Sequence, residues 1–498
     1  MHDGAQMLGR RMAKGAAWTV LARLAVRCIG LVSMVILARL LVPEDFGLVA
    51  LATLVLGLLE VTAEFGFGLA LIQNQTAGRG HYDTAWTLSV LRGVVVALVM
   101  LAVAQPAAAF FDEPRLAAVL AVLALAPLIE GVANIGVINF QKDLEFGKDF
   151  VLMTAAKLGS FAVTVTLAVL WRDYWALVVG AITAKGSHVV LSYLMQPYRP
   201  RLSLAEWRSI FHFSKWIQLN SVFSFVATRF DTFIVGKLLG AQTLGLYSVA
   251  YEISTLVTSE LIMPIRRVLF PGFAKIADDR DRLRQTFVDS LALMMLAGVP
   301  LSLGIALVAE PAVRVFLGPK WMEAAPLVSV LAIYGLVHVV NGNFGTVFLA
   351  IGRPHLLTAL TAVGLCFALP LVGFGAMHFG ALGAAVGIAA AGFLSLVVEF
   401  AMMRRVLDVS LRRLLAATWR TGLAAAAMTV AVSAVPGQWS VGDSLMEQAL
   451  WLAAMVGTGA LTYVGVHLGL WRLSGLPNGA ESFVFTALKL GVARVNRG

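Results

Sequence analysis

The stretch LARLLVPEDFGLVALA, residues 37–52, lies between two long apolar runs and recurs in altered form later in the chain. The second copy is VGKLLGAQTLGLYSVA, residues 235–250, and a shift of 198 positions brings Gly47 onto Gly245. The same shift aligns the paired leucines before the turn and the cationic residue that precedes them. This duplication indicates that much of the chain is built from two related halves.

The composition indicates that lipid is the solvent for most of this chain. Of its 498 residues, 59% are hydrophobic and only 13% are charged, with a mean hydropathy of +0.85. A soluble domain is about 45–50% apolar and about 25% charged. Cys28 and Cys366 both lie inside apolar runs, so neither a disulfide nor a metal site is expected. We therefore predict an all-α integral membrane protein.

Counting apolar runs of about 20 residues gives about 14 transmembrane helices, grouped as six, six and two. The predicted spans lie near 16–38, 46–72, 85–109, 115–138, 150–171, 174–195, 213–236, 244–268, 287–316, 325–350, 356–378, 381–403, 414–435 and 446–471. The repeat shift corresponds to six spans, so both copies have the same orientation. We therefore predict two parallel-repeat six-helix lobes plus two C-terminal helices.

The predicted organisation follows from these groups and from one amphipathic connection. In that connection, Leu204, Trp207, Ile210 and Phe211 recur at helical spacing with basic residues between them, which predicts an interfacial helix. The segments are an N-terminal lobe (1–198), a cytoplasmic linker helix (199–212), a C-terminal lobe (213–403), two extra transmembrane helices (404–475) and a cytoplasmic tail (476–498).

Lys and Arg residues set the orientation, because they concentrate in cytoplasmic loops. With a cytoplasmic N-terminus, 25 of the 38 Lys and Arg residues fall in inner segments and 6 in outer loops. Both termini are therefore expected in the cytoplasm. The predicted loops are too short for a soluble catalytic domain, and nothing in them indicates nucleic-acid binding.

Two blocks of sequence resemble the Wzx-like polysaccharide flippases. The first is ARLLVPEDFGLVALA (38–52) followed by EFGFGLALIQNQ (64–75). The second is RFDTFIVGKLLGAQTLGLYSVAY (229–251) followed by PIRRVLFPGFAKIADD (264–279). That family belongs to the MOP exporter superfamily, together with the MATE drug exporters and the lipid II flippases.

The resemblance implies a V-shaped, MATE-like fold in the bacterial inner membrane. It implies movement of an undecaprenyl-diphosphate-linked oligosaccharide to the periplasmic leaflet by alternating access, for O-antigen, capsule or exopolysaccharide synthesis. The implied partners are the lipid-linked oligosaccharide, membrane lipids, and a polymerase with chain-length or export proteins. It assigns no ligand role to Pro43, Glu44 or Asp45.

Charged residues inside predicted spans are costly, so they are functional candidates by default. Arg23 and Arg27, four residues apart, share one face of the first helix, where two guanidinium groups could clamp a diphosphate. The alternative is that they pair with Glu60 and Glu64 on the second span. The predicted diphosphate-binding set is completed by Lys157, Lys185 and Arg229. Glu130 is a further acidic residue within a predicted span.

A carboxylate within a span could also carry a coupling ion. The coupling or ion-pair candidates are Glu60, Glu64, Asp231 and Glu252. We expect no bound cofactor, although coupling to H⁺ or Na⁺ is open. The polar run HVVNGNFG could contact sugar hydroxyls through His338, Asn341 and Asn343, or could hydrogen-bond neighbouring helices instead.

Other functions are less consistent with this pattern. A lipid II flippase or a small-molecule exporter of the same superfamily is the nearest alternative. A membrane-embedded polymerase, ligase or acyltransferase would need a large outer loop or a clustered set of acid, base and donor-binding residues. A scaffold subunit would not need cations within its spans. We therefore predict a transporter and not an enzyme.

Overall fold

The computed structural model describes residues 2–63, 66–73, 76–435, 444–477 and 479–483, and these residues form helices joined by turns. The α-helices are α1 His2–Leu40, α2 Pro43–Thr62, α3 Phe67–Gln73, α4 Arg79–Phe111, α5 Arg115–Leu123, α6 Leu125–Gly131, α7 Ile138–Lys142, α8 Phe146–Trp171, α9 Trp175–Met195, α10 Trp207–Lys275, α11 Arg280–Leu307, α12 Ala309–Phe316, α13 Ala325–Ala350, α14 Pro354–Leu407, α15 Leu411–Ala434 and α16 Leu445–Leu473. Short 3₁₀ turns lie at Ile135–Val137 and Pro319–Ala324. The all-α membrane fold is confirmed.

Within the described residues, ten helices are long and apolar enough to cross a membrane. An eleventh span is obtained if Arg115–Gly131 and Ile135–Lys142, which meet at an angle of 62°, form one broken crossing. The protein is therefore a multi-pass membrane protein. The count of fourteen spans stays a prediction.

Two of the long helices are broken by a glycine with a backbone conformation that other residues rarely adopt. Gly240 in α10 has φ 79° and ψ 177°, and Gly380 in α14 has φ 63° and ψ −150°. A straight helix of 54 residues, the length of α14, would extend about 81 Å against a hydrocarbon core of about 30 Å. The glycine breaks therefore divide α10 and α14 where the sequence predicts a turn between two spans.

The chain divides into two compact units, Met1–Gly245 and Leu246–Gly498. In the first unit, α1 packs along α8, α8 along α9, and α6 against α4 and α9. In the second unit, α13 packs between α11 and α14, while α15 packs against α16 and α11. The lobe boundaries at 198 and 213 stay a prediction from the repeat.

The PEDFG motif builds the turn between α1 and α2. Pro43 occupies the first turn of α2, where its missing N–H costs no hydrogen bond. Asp45 closes the turn, because its carboxylate accepts a hydrogen bond from the Val42 N–H (3.1 Å) and its own N–H donates to the Val42 carbonyl (3.1 Å). The first half of the motif is therefore a helix start.

The remaining motif residues attach this turn to its surroundings. Glu44 forms an ion pair with Arg115 at the start of α5, and Phe46 packs against a buried cluster that contains Leu37 and Leu41. A Cβ atom on Gly47 would overlap the carbonyl oxygen of Ala241 in α10. The motif residues therefore fasten this turn to α5 and α10.

The ends of α4 and of the first half of α10 also meet beside this turn. Lys237 forms a 2.8 Å ion pair with Asp112 and lies over the ring of Phe110, at 5.0 Å from the ring centroid. Phe110 stacks on Phe233, with 5.5 Å between the ring centroids. Aromatic and charged contacts together fix α10 against α4 within the first unit.

The predicted linker helix at 199–212 differs from the structure. Residues 196–204 lack regular secondary structure, and α10 begins only at Trp207. Leu204 and Trp207 are exposed, whereas the side chains of Ile210 and Phe211 lie outside the described part of the chain. Residues 199–206 do not form a helix because their backbone is bound to side chains of α4, as described below.

Candidate functional site

Four of the five predicted diphosphate ligands lie on three helices that pack side by side in the first unit. Arg23 and Arg27 are on α1, Lys157 is on α8 and Lys185 is on α9, and all four side chains are half-buried. Arg23 and Arg27 are one turn apart, so they share a face of α1. The tertiary structure thus concentrates cationic residues on adjacent helices.

Lys185 is not a free cation, because it is paired with a carboxylate. Its ammonium nitrogen lies 3.2 Å from an Oε atom of Glu130 at the end of α6, and Nδ1 of His188 lies 3.9 Å from the other Oε atom. The exposed fractions of the three side chains are 35% for Lys185, 26% for Glu130 and 29% for His188. The cluster is therefore accessible from at least one side.

The acidic candidates of the second span are only partly described. Glu60 is half-buried on α2, and among the described residues it forms no salt bridge. Glu64 lies outside the described residues. The predicted pairing of these carboxylates with Arg23 and Arg27 therefore stays a prediction.

Arg229 and Asp231 lie on different faces of α10. Arg229 is exposed, whereas Asp231 is 2% exposed and accepts a 2.7 Å hydrogen bond from the Thr232 N–H. The deep burial of Asp231 sets it apart from the other coupling candidates in described positions. Glu252, further along α10 and in the second unit, is half-buried.

The three polar residues of α13 separate into two groups. Asn343 is fully buried and bonds α11, donating to the Ser290 hydroxyl (3.0 Å) and the Phe287 carbonyl (3.4 Å). His338 is exposed and lies beside the ring of Tyr334, with 5.6 Å between the ring centroids, while Asn341 is half-buried. Asn343 is therefore a helix–helix contact, and a sugar contact of His338 or Asn341 stays a prediction.

Comparison with known proteins identifies the family. A model of the family described as "Polysaccharide biosynthesis protein" matches residues 36–326, which is more than half of the chain. The chain belongs to this family. The match begins just before the PEDFG turn and covers both copies of the repeated stretch, so the resemblance to Wzx-like flippases is confirmed.

Relatives of this polysaccharide biosynthesis protein share its length. The lipopolysaccharide biosynthesis protein WzxC of Escherichia coli (strain K12) is 27% identical over 417 residues, covering 83% of this chain and 85% of that protein. The teichuronic acid biosynthesis protein TuaB of Bacillus subtilis (strain 168) is 27% identical over 474 residues, covering 91% and 95% respectively.

A solved structure shows the same fold in a named flippase. The lipid II flippase MurJ, in an inward closed conformation, superposes with a TM-score of 0.73 at 12% identity, covering 91% of this chain and 98% of that chain. The predicted all-α membrane fold is thereby confirmed. At this level of identity the likeness concerns the fold alone.

Several structural groups were not singled out from the sequence. Asp83, in the first turns of α4, is 7% exposed, and its Oδ1 atom accepts hydrogen bonds from the Tyr198 hydroxyl (2.6 Å) and the Arg201 N–H (2.8 Å). Burial and this hydrogen bond raise the pKa of Tyr198. The Ser203 N–H also donates to Thr87 (2.9 Å). These bonds hold the linker segment extended along α4.

The same linker is bound to the break between α6 and α7. Asn134, which is fully buried in this break, donates from its side chain to the carbonyls of Gln196 (3.2 Å) and Tyr198 (2.8 Å). Its own N–H donates to the Ser192 hydroxyl on α9 (3.0 Å). A broken helix leaves backbone groups without partners, and inside a membrane protein these groups need hydrogen bonds. Here the Ser192 hydroxyl pairs the Asn134 N–H of the break, and the Asn134 side chain pairs two carbonyls of the linker.

The second unit contains a buried charged cluster near the end of the chain. Glu481 is 6% exposed and lies 2.8 Å from Nε of Arg420 on α15 and 3.3 Å from Nε2 of His467 on α16. The chain after α16 therefore folds back onto α15 and α16 at Glu481. Arg420 interrupts an apolar run and is therefore a candidate from the sequence alone, but its distant partner Glu481 is found only in the structure.

Proposed function

We propose that this chain is a flippase for undecaprenyl-diphosphate-linked oligosaccharide repeat units. It moves them from the cytoplasmic to the periplasmic leaflet by alternating access. Membership of the polysaccharide biosynthesis family, together with a fold shared with a lipid II flippase, carries this proposal. Relatives named for lipopolysaccharide and teichuronic acid biosynthesis support a polysaccharide precursor as the cargo.

The headgroup is bound by the cations of the first unit. Arg23, Arg27, Lys157 and Lys185 supply positive charge on α1, α8 and α9, which pack in sequence. A guanidinium bonds phosphate oxygens in bidentate geometry and keeps its charge in an apolar site. Partial burial strengthens this attraction, since the effective dielectric constant is lower than in water.

The sugar portion contacts a different surface. His338 and Asn341 on α13 present polar groups that can bond hydroxyls, whereas Asn343 is committed to α11. Asp231 is the leading coupling candidate among the described carboxylates, because it combines near-complete burial with a position beside the repeated stretch. No step in this scheme requires covalent chemistry, so the proposed activity is transport and not polymerisation.

The proposed location is the bacterial inner membrane, with both termini in the cytoplasm. The excess of Lys and Arg in alternate loops supports this orientation. Reporter fusions after Leu41 and after Arg353 test it, because these positions are expected on opposite sides of the membrane.

A lipid II flippase is the second candidate, and the fold shared with MurJ favours it specifically. The two candidates differ in the lipid that accumulates when the gene is deleted. A polysaccharide flippase predicts a cytoplasm-facing oligosaccharide precursor in viable cells. A lipid II flippase predicts accumulation of lipid II and failure of wall synthesis.

A charge-neutralised variant tests the binding role of the cations. We expect R27Q/K157Q to abolish export while the protein remains folded and membrane-inserted. The control is K275Q/R280Q, which removes the same two charge types at exposed positions. Normal export by folded R27Q/K157Q would refute the assignment of these cations to the headgroup.

A further inference from the structure

Glu130 places a negative charge beside one of the cations that are proposed to bind the headgroup in the first unit. It is the penultimate residue of α6, and its two carboxylate oxygens lie near Lys185 (3.2 Å) and His188 (3.9 Å) on α9. Lys185 thus carries a resident negative group from another helix.

The position of this carboxylate is set by the packing of α6. Lys185, His188 and Ser192 lie at i, i+3 and i+7 on α9, so they form one stripe along that helix. Ser192 accepts the Asn134 N–H in the break after α6, which holds the end of α6 against this stripe. The Val132 carbonyl, two residues beyond Glu130, accepts a 2.9 Å hydrogen bond from the Tyr193 hydroxyl. Glu130 is therefore aimed at Lys185 by fixed backbone.

The exposure of the cluster makes the ion pair exchangeable. Lys185 and Glu130 keep 35% and 26% of their side-chain surface exposed, so an incoming anion can reach the ammonium group. A diphosphate carries more negative charge than one carboxylate and has several acceptor oxygens. A monophosphate binds Lys185 less strongly, because Coulomb attraction scales with charge. The resident carboxylate lowers the apparent affinity of every anion that displaces it by the same factor.

We infer that Glu130 is a displaceable competitor for the diphosphate headgroup at Lys185, and that it lowers the affinity of this site. In the absence of substrate it neutralises Lys185, and a lipid-linked diphosphate displaces it. When substrate leaves, Glu130 returns to Lys185, which assists release. This inference rests on the proposed function.

The test uses the purified full-length protein in nanodiscs of phosphatidylcholine, with farnesyl diphosphate and farnesyl monophosphate as probes. Removing one partly exposed competing charge is expected to tighten diphosphate binding by E130Q about threefold to tenfold. Monophosphate binding should tighten by the same factor, because either anion must displace the same carboxylate. E130D, which withdraws the carboxylate by one methylene, should shift both affinities in the same direction by less.

Two further variants separate competition from a structural role. E310Q removes the carboxylate of the exposed Glu310–Arg314 pair (2.9 Å) in the second unit and should leave both affinities unchanged. K185Q should weaken diphosphate binding, and E130Q should add nothing in that background, because the two residues act through one interaction.

The outcomes distinguish this inference from the proposed function. If the wild type binds the diphosphate and K185Q weakens binding, but E130Q and E130D leave the affinity unchanged or weaken it, the competitor role is overturned and the headgroup site stands. If the wild type binds neither probe, and K185Q and R27Q change nothing, the headgroup site itself is overturned.

Discussion

Gly47 and Gly245, which the 198-residue repeat aligns, pack against each other's backbone in the structure. A Cβ atom on Gly47 would overlap the carbonyl oxygen of Ala241, and one on Gly245 would overlap the carbonyl oxygen of Pro43. The contact is therefore reciprocal: each copy of the stretch places a glycine against the turn or helix of the other copy. Small residues let helices in membranes approach this closely.

The variant G47A tests this contact. The added methyl group must push α2 away from α10, and overpacking of this kind costs about 1–3 kcal/mol. We expect a lower thermal unfolding midpoint in detergent. G30A is the matched control on α1, because a Cβ atom there meets nothing within 4 Å. Ala is favoured over Gly in a helix by about 0.5–1 kcal/mol, so G30A should leave the midpoint unchanged or raise it.

The variant D83A tests how the linker is held. Without this carboxylate the Tyr198 hydroxyl and the Arg201 N–H each lose an acceptor, which costs about 1–3 kcal/mol for groups left unsatisfied. We expect faster trypsin cleavage after Arg201 in inverted vesicles, where the linker is predicted to be accessible. The control variant D278A changes an exposed aspartate in the second unit, and it should be cleaved at the wild-type rate. Equal rates for D83A and the wild type would show that the other linker bonds suffice.

The buried pair of Arg420 and Glu481 should be strongly coupled. Their side chains are only 11% and 7% exposed, so removing one partner leaves a buried charge, at a cost of about 3–5 kcal/mol. We expect R420M and E481M each to lower the unfolding midpoint markedly. R420M/E481M should be more stable than either single variant, because no charge is left without its partner. Additive losses in the double variant would contradict the coupling.

The polar residues of α13 should separate into a stability group and a transport group. N343A leaves the Ser290 hydroxyl without its amide partner in a buried position, which should lower stability by about 1–3 kcal/mol. H338A should not lower stability, since His338 is exposed, but should reduce export if it contacts the cargo. Thermal unfolding and precursor export are measured on both variants. If H338A lowered stability and N343A did not, the stability role would belong to His338 and not to Asn343.

The sequence predicted that lipid surrounds most of the chain, where most of the helices lie, and to which family the chain belongs. Apolar runs such as residues 325–350 coincide with α13, because burial of a helix in lipid depends on local composition. The PEDFG stretch and the repeated stretch also identified the family from local sequence, because the residues that form each pattern are adjacent in the chain. Residues 199–206 differ, since their conformation depends on Asp83 and Thr87, more than one hundred positions earlier.

Charge pairing within the membrane was decided by tertiary structure. The sequence placed Lys185 and Glu130 inside spans, but only packing of α6 on α9 joins them, and only packing of α13 on α11 buries Asn343 while His338 stays exposed. The rotation of a helix about its axis depends on contacts with residues distant in the chain. Composition and local motifs therefore determined that this chain spans the membrane and to which family it belongs, whereas side-chain packing determined that Lys185 is held by a carboxylate.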